Sequence, residues 1–550
     1  MRKKLLYLMT ALLAFNAFSQ TTYTFNGDGD WTDTANWDSY PGLTVAADDI
    51  VEIIGLLTIP ASTTVTNNGI IESYNTFSGS PDVTILGVLV NNNTIEFSNT
   101  GIIIGIDGAI LANDGSTIDT SNSPLKNSGE VTISDGAVMN ISGFSEAFIN
   151  DVNGTVDNKG TIEIISGTFE NNSTENNSIF NSGTFKNSGG SFDNYGHFNN
   201  TDTGIFIAER SCENLLGGTI DNHGELTISD FSVTLVNSGT LNNFKTIYIE
   251  DYNTLNIASD GTFINKITGT VEVSSEGKIS NNSYSVEFLT EGKILNAGTI
   301  DNNNTVTISA TGEIENNGDI NNNFGGDLEI FGTLSGINTG DAGSFSNAGI
   351  LAPGNLNDAT GFYKFDSFFT SYVQTANGSI NIELGGTVEG DTYDQVIVDD
   401  DLTLDGTLNV SLVNGFEPAI GDVFTVLTQG GNISGTFATV NLPTLPAGKK
   451  WDVVTYDSSN GVSLTILDSS LGLSEANDAL TFNVYPNPTA NELNVSGLST
   501  VSNGTIFDLN GRALLTVELS AINSRIDLTR LPAGVYLLNI DGSSLKFVKN

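Results

Sequence analysis

Acid–base chemistry in this chain would have to rest on carboxylates. The sequence holds 64 Asp and Glu residues but only two histidines, His197 and His223, and one cysteine, Cys212. A glycoside hydrolase needs two or three carboxylates converging on the sugar bond, and a polysaccharide lyase would need Ca²⁺ and an arginine or lysine base. Arg210 is the sole arginine between the N-terminal leader and the C-terminal tail, which makes it the candidate for binding or basic chemistry. The runs Asp48-Asp49 and Asp399-Asp400-Asp401 lie away from the centre of the chain, and no motif assembles the acids, so no catalytic residue is assigned. Cys212 excludes an internal disulfide. Its reading is a small buried hydrophobe, because a nucleophilic thiol needs an activating base, for which His197, fifteen residues away, is the weak candidate.

Two further groups near the N-terminus invite attention. Asp28, Asp30 and Asp33 form a cluster that would take Ca²⁺, although the glycine and distal glutamate of an EF-hand loop are missing. No other cofactor is expected. Trp31 and Trp37 could stack on sugar rings, or could cover the open end of a repeat structure.

The elements that must position these groups come from repetition. Asn-x-Gly recurs at Asn158, Asn181, Asn187, Asn194, Asn222, Asn237, Asn296 and Asn347, each time beside a short β-prone run. Phe180, Phe185, Phe192, Phe198 and Phe206 recur near the same turns. A unit this short holds one strand of three or four residues and a turn. Three units make a coil, matching the 20-residue step from Asn296 to Asn316, and the fold expected is all-β, a right-handed parallel β-helix. Asn and Gly are expected at corners because they tolerate left-handed backbone, with Asn side chains hydrogen-bonding along the axis and Ile, Val, Leu and Phe stacked inside. About 15 coils at ~4.8 Å would give a rod ~70 Å long. The uneven steps Asn194 to Asn222 and Asn222 to Asn237 suggest inserted loops, with the stretch Ala208 to Glu213 as the place for a site. An ice-binding face would need outward threonines in register, and Thr161, Thr184 and Thr240 read as out of register.

The net charge is −45, while from Leu480 onward five basic residues balance five acidic ones, so the acidity belongs to the body. Such a body repels nucleic acid and anionic membranes. Residues 1–19 have the pattern of a secretory signal: Arg2, Lys3 and Lys4, an apolar run from Leu5 to Phe15, then Ala17-Phe18-Ser19. The Sec translocon is thus an expected partner. The organisation expected is a signal at 1–19, a cap segment at 20–54, β-helix repeats at 55–350, a β-rich end of the solenoid at 351–468, a linker at 469–479 and a tail domain at 480–550.

Two resemblances add to this. The longer strands after Pro353, with Gly421-Asp422-Val423-Phe424 and Gly435-Thr436-Phe437, resemble the C-terminal part of autotransporter passenger domains, which closes a β-helix. The tail carries Tyr485-Pro486-Asn487-Pro488, Ile506-Phe507-Asp508-Leu509-Asn510-Gly511-Arg512, Leu531-Pro532-Ala533-Gly534-Val535-Tyr536 and a terminal Lys546-Phe547-Val548. It resembles the type A C-terminal sorting domain of the Bacteroidota type IX secretion system. Its residues alone suggest a small β-sandwich with hairpin turns at Asn510-Gly511 and Asp541-Gly542. The resemblance implies passage through the outer membrane by the type IX machinery, a cell-surface or extracellular location, and attachment to surface lipopolysaccharide. The expected role is a surface adhesin or structural stalk that meets a glycan or host-cell ligand. The alternative is a secreted polysaccharide-active enzyme.

Overall fold

In the computed structural model, residues 20–550 are described except 48, 55, 62, 75–81, 99–100, 175–177, 283–287, 336–342, 354–363, 368–370, 390, 399, 470–481, 499 and 521–523. The expected signal sequence and nearly all of the expected linker lie outside the described residues. The chain divides into two units, residues 1–467 and 468–550.

The first unit is built from strands of about four residues whose side chains alternate outward and inward. Thr161–Ile164 (TIEI), Thr184–Asn187 (TFKN) and Thr219–Asn222 (TIDN) share this pattern of half-exposed and buried positions. A strand this short cannot bury its apolar face alone, so it pairs in parallel with its equivalent one coil away. Ile162 sits beside Phe185, which sits beside Phe206. Successive strands fall on three faces in turn. The first face carries 15 strands among the described residues, from Thr22–Phe25 to Thr333–Ser335. The second and third continue to Ile433–Gly435 and Thr439–Asn441. The only helical element among the described residues is one 3₁₀ turn, Thr34–Asn36.

The interior is apolar at its centre, where Phe148 stacks on Phe169 at 4.3 Å and Phe185, Phe192, Phe198 and Phe206 interlock edge to face. Phe180 departs from that expectation and points outward. The last inward position of many strands is asparagine. On the second face, Asn127, Asn150, Asn171, Asn194 and Asn214 each donate a side-chain amide hydrogen to the side-chain carbonyl oxygen of the next, at 2.7–2.9 Å, and the run ends at Asn237. A second run there goes from Asn281 through Asn302, Asn322 and Asn347 to Gln374. The third face has its own run, from Asn158 through Asn181, Asn200, Asn222 and Asn243 to Asn265. These side chains are buried and each makes at least one hydrogen bond, which is the condition for keeping an amide in an apolar interior.

Three expectations change on this footing. Asn194 and Asn237 lie on the second face and Asn222 on the third, so the uneven steps compare different faces and mark no inserted loop. The axial neighbour of Asn194 is Asn214. Thr161 and Thr184 are in register on the first face, and Thr240 belongs to the third. The glycines of Asn-x-Gly do not have left-handed backbone; the close approach of the neighbouring coil requires them. A Cβ on Gly160 would lie 2.3 Å from the Ala137 carbonyl oxygen, and one on Gly183 2.1 Å from that of Gly160.

Residues 20–54 carry the first coil as well as its aromatic filling. Thr22–Phe25, Gly29–Asp30 and Thr44–Val45 pair in parallel with the following coil. At the other end the first face gives way to a six-stranded sheet that includes Lys364–Ser367, Gln395–Val398 and Val423–Gln429. There Val423–Gln429 turns from parallel pairing to antiparallel pairing with Gly461–Asp468. Antiparallel closure removes the template for another coil and protects the edge.

Candidate functional site

The sequence-selected residues fall in very different places. Trp31 and Trp37 are interior: their rings meet edge to face at 4.9 Å, and their indole nitrogens donate to the carbonyls of Gly42 and Trp31. They fill the first coil and are withdrawn from any ligand. The three aspartates near them do not converge. Asp28 accepts from the Leu56 amide, and Asp33 caps the 3₁₀ turn through the Ala35 amide. Among the described residues no group of three His, Cys, Asp or Glu is placed to hold a metal. Cys212 is buried, with burial pushing its thiol up to about 12, and its sulfur receives the Asn187 amide at 3.6 Å. His197 pairs instead with Asp221 at 2.8 Å.

Arg210 is the one candidate that lands in a constructed surface feature. The stretch Ala208 to Glu213 is itself regular, a three-residue corner between the strands Ile205–Ala208 and Cys212–Asn214. The departure comes one coil later, where five residues separate Glu225–Ile228 from Thr234–Asn237. In this longer corner Asp230 and Ser232 have φ of 75° and 60°, and in the corner above it Tyr252 has φ of 65°. Non-glycine residues in this region cost about 1 kcal/mol or more each, and a tyrosine there is a marked outlier. The buried Asn253 holds the arrangement by accepting from the Val233 amide at 2.8 Å and donating to the Asp251 carbonyl at 3.0 Å.

The strained backbone presents two aromatic rings to solvent. Phe231 is 71% exposed and Tyr252 55% exposed, yet their centroids are only 5.3 Å apart. Arg210 forms an ion pair with Asp230, and that pair, with the Phe231 amide, holds the Asp230 carboxyl below its ordinary range. The ion pair and Phe231 border a shallow depression of about 500 Å³ that also includes Ser211, Thr234 and Val236. Ring faces beside a fixed guanidinium and carboxylate suit the apolar faces and hydroxyls of a sugar. Sequence reasoning missed Phe231 and Tyr252. The available signal was an aromatic residue at each of two successive corners between the first and second faces.

Carboxylates do converge elsewhere, through register alone. Glu170, Asp193 and Glu213 are adjacent outward residues on the second face. Burial, then Glu213 and Glu170, raise Asp193 to about 6. A second row, Glu52, Glu72, Glu96 and Asp119, runs along the first face.

The second unit packs a three-stranded and a four-stranded antiparallel sheet around Phe482, Leu493, Ile506, Tyr536 and Phe547. The sorting-motif residues shape this sandwich. Tyr485 is exposed, and the Tyr485–Pro486 and Asn487–Pro488 bonds are cis. Asn487 ties this segment to the last strand, accepting from the Val548 amide at 2.8 Å and donating to the Lys546 carbonyl at 3.1 Å. Gly511, at φ of 78°, closes the turn organised by Asp508. Tyr536 is buried, stacks on Phe547 and donates its hydroxyl to the Pro532 carbonyl at 2.8 Å. Gly534 lies against that tyrosine ring.

One comparison with known proteins bears on the second unit. No curated protein matches the chain. Among solved structures, a crystal structure of a TibC-catalysed, hyper-glycosylated fragment of TibA is similar at 14% identity and a TM-score of 0.20, over 68% of this chain and 98% of that one. Residues 483–550 match the family described as the secretion system C-terminal sorting domain. That domain implies export by the type IX secretion machinery and a cell-surface or extracellular location. The protein is thus a parallel β-solenoid that carries, at residues 483–550, a secretion system C-terminal sorting domain.

Proposed function

We propose that the solenoid is a cell-surface adhesin or stalk, held at surface lipopolysaccharide after export, which meets a glycan at the corner formed by Arg210, Asp230, Phe231 and Tyr252. The observation that carries this reading is the exposed Phe231–Tyr252 pair on strained backbone. A fold whose remaining asparagines and glycines serve its own packing maintains these outliers at a cost, and such cost concentrates where a ligand is met. The test compares a deletion strain, the parent, and a strain carrying Phe231→Ala with Tyr252→Ala. Loss of adhesion and biofilm formation in both altered strains is expected. Adhesion by the deletion strain equal to the parent's overturns the reading.

A second reading rests on the Glu170, Asp193 and Glu213 row. Adjacent strands set the backbones of these residues ~4.8 Å apart, a spacing compatible with the ~5 Å carboxyl separation of a retaining glycosidase, and a carboxyl raised to about 6 suits a general acid. Depolymerisation of neutral and acidic glycans by the purified protein, abolished by Asp193→Asn, would select this enzyme reading over the adhesin.

A further inference from the structure

The coil that exposes Tyr252 carries another aromatic residue just before it, on the first face. Tyr248 is outward on Thr246–Ile249 and forms part of the floor of a groove of about 580 Å³. Its axial neighbours are Thr227 on one side and Glu272, then Leu295, on the other, all outward and in register. Glu225 and Glu250 also line the groove, and Asn317 closes its far end. The groove therefore crosses five consecutive coils, ~19 Å of axis at ~4.8 Å per coil.

No lysine or arginine lines it. The nearby Lys293 is bound to Glu313 and Glu315, and among the described residues no cation pairs with Glu225, Glu250 or Glu272. An aromatic ring with carboxylates around it attracts a cation from both sides, through the ring quadrupole and through charge. Acidic sugars are repelled. An uncharged sugar would leave three carboxylates without a counter-charge.

We propose that this groove binds amino-sugar units with free ammonium groups, so that the glycan class met by the surface is a polymer of unacetylated hexosamine. This rests on the glycan-binding reading of the adjoining corner: the corner rings take pyranose faces, and the groove selects the positive charge. The chain itself connects the two, since Glu250 lines the groove and Tyr252 stands two residues on.

Titration calorimetry of the full secreted protein tests this with a glucosamine hexamer, an N-acetylglucosamine hexamer, a neutral glucose hexamer and oligolysine. The glucosamine hexamer is expected to bind at least tenfold more tightly than the two uncharged hexamers. Tyr248→Ala and Glu272→Gln should each weaken it about tenfold, Tyr248→Phe should retain it, and Glu96→Gln, a distant carboxylate on the same face, should leave it unchanged. Equal binding of the acetylated hexamer overturns the proposal. So does an equal loss with Glu96→Gln, which would make the attraction a general effect of the acidic body, and so does Tyr248-dependent binding of oligolysine stronger than that of the sugar. Normal adhesion by the deletion strain, with Tyr248-dependent glucosamine binding intact, would remove the adhesin reading alone.

Discussion

Asn200 donates its side-chain amide to the carbonyl oxygen of Asn222 at 2.7 Å, and both side chains are fully buried. Asn200 also donates to the Glu225 backbone carbonyl at 2.9 Å and receives the Asn181 amide at 2.7 Å. One side chain thus links three coils. Asn200→Ala removes these bonds and strands one Asn181 amide hydrogen, the other remaining on the Ile205 carbonyl, so a loss of about 2–4 kcal/mol is expected. Asn158 begins its run, and its carbonyl oxygen has no donor; Asn158→Ala should therefore cost less. Denaturant unfolding of the two variants checks the order.

Gly160→Ala should be more damaging than Gly217→Ala, for different reasons. At Gly160 an added methyl meets the Ala137 carbonyl at 2.3 Å, so two coils must separate. At Gly217, φ is 92° with nothing within 4 Å, so only backbone strain of about 1 kcal/mol is added. Thermal unfolding of both variants distinguishes close approach from conformational preference.

Asp193 sets a pH dependence with a defined sign. Its carboxyl is raised to about 6 from an ordinary 3.8, so between these values the folded chain holds a proton that the unfolded chain releases. Its contribution therefore becomes less favourable as pH rises from about 4 to about 6, and remains unfavourable above. Asp193→Asn should stabilise the protein at pH 7.5 by about 1 kcal/mol, discounted for the solvent contact of the group, and the gain should vanish at pH 4. Unfolding midpoints at the two pH values measure it.

Tyr252→Gly should separate stability from recognition. Glycine accepts the φ of 65° without strain, which favours the fold by about 1 kcal/mol, set against glycine's greater freedom in the unfolded chain. The same change removes half of the exposed aromatic pair. A melting temperature equal to or above that of the parent, with weaker glycan binding, is the expected outcome.

The parallel solenoid was legible in the chain because Asn-x-Gly reflects a constraint that every coil repeats. The reason for the glycine was not legible, since close approach between Gly160 and Ala137 depends on a neighbour 23 residues away. The same limit hid the faces: Asn194 and Asn222 look like one series in sequence but belong to two. The tail was easier, because its motif residues, such as Asn487 and Tyr536, close contacts within one small sandwich.

The corner proposed to meet a glycan was half legible. Arg210 stood out as the body's single arginine, while Phe231 and Tyr252 did not, because exposure and φ are properties of the corner and not of residue type. Trp31 and Trp37 stood out for their size, and size is what places them in the interior. Glu170, Asp193 and Glu213 are about twenty residues apart in sequence, and parallel register alone makes them neighbours.

The asparagine runs overlap. The run on the second face stops at Asn237 and resumes at Asn281, with Ile257 between, and across that gap the third face continues from Asn243 to Asn265. Where the third-face run ends, the second face is continuous again from Asn281 to Gln374. From the coil of Asn127 to the coil of Gln374, every junction is crossed by at least one side-chain amide bond, as courses of brick cover each other's joints. Asn113 donates to Asn92 one coil earlier, but between the coils of Asn113 and Asn127 no such amide-to-amide bond occurs among the described residues. Under tension along its axis, the rod has no plane of weakness through its long middle, and it should part first near its N-terminal end.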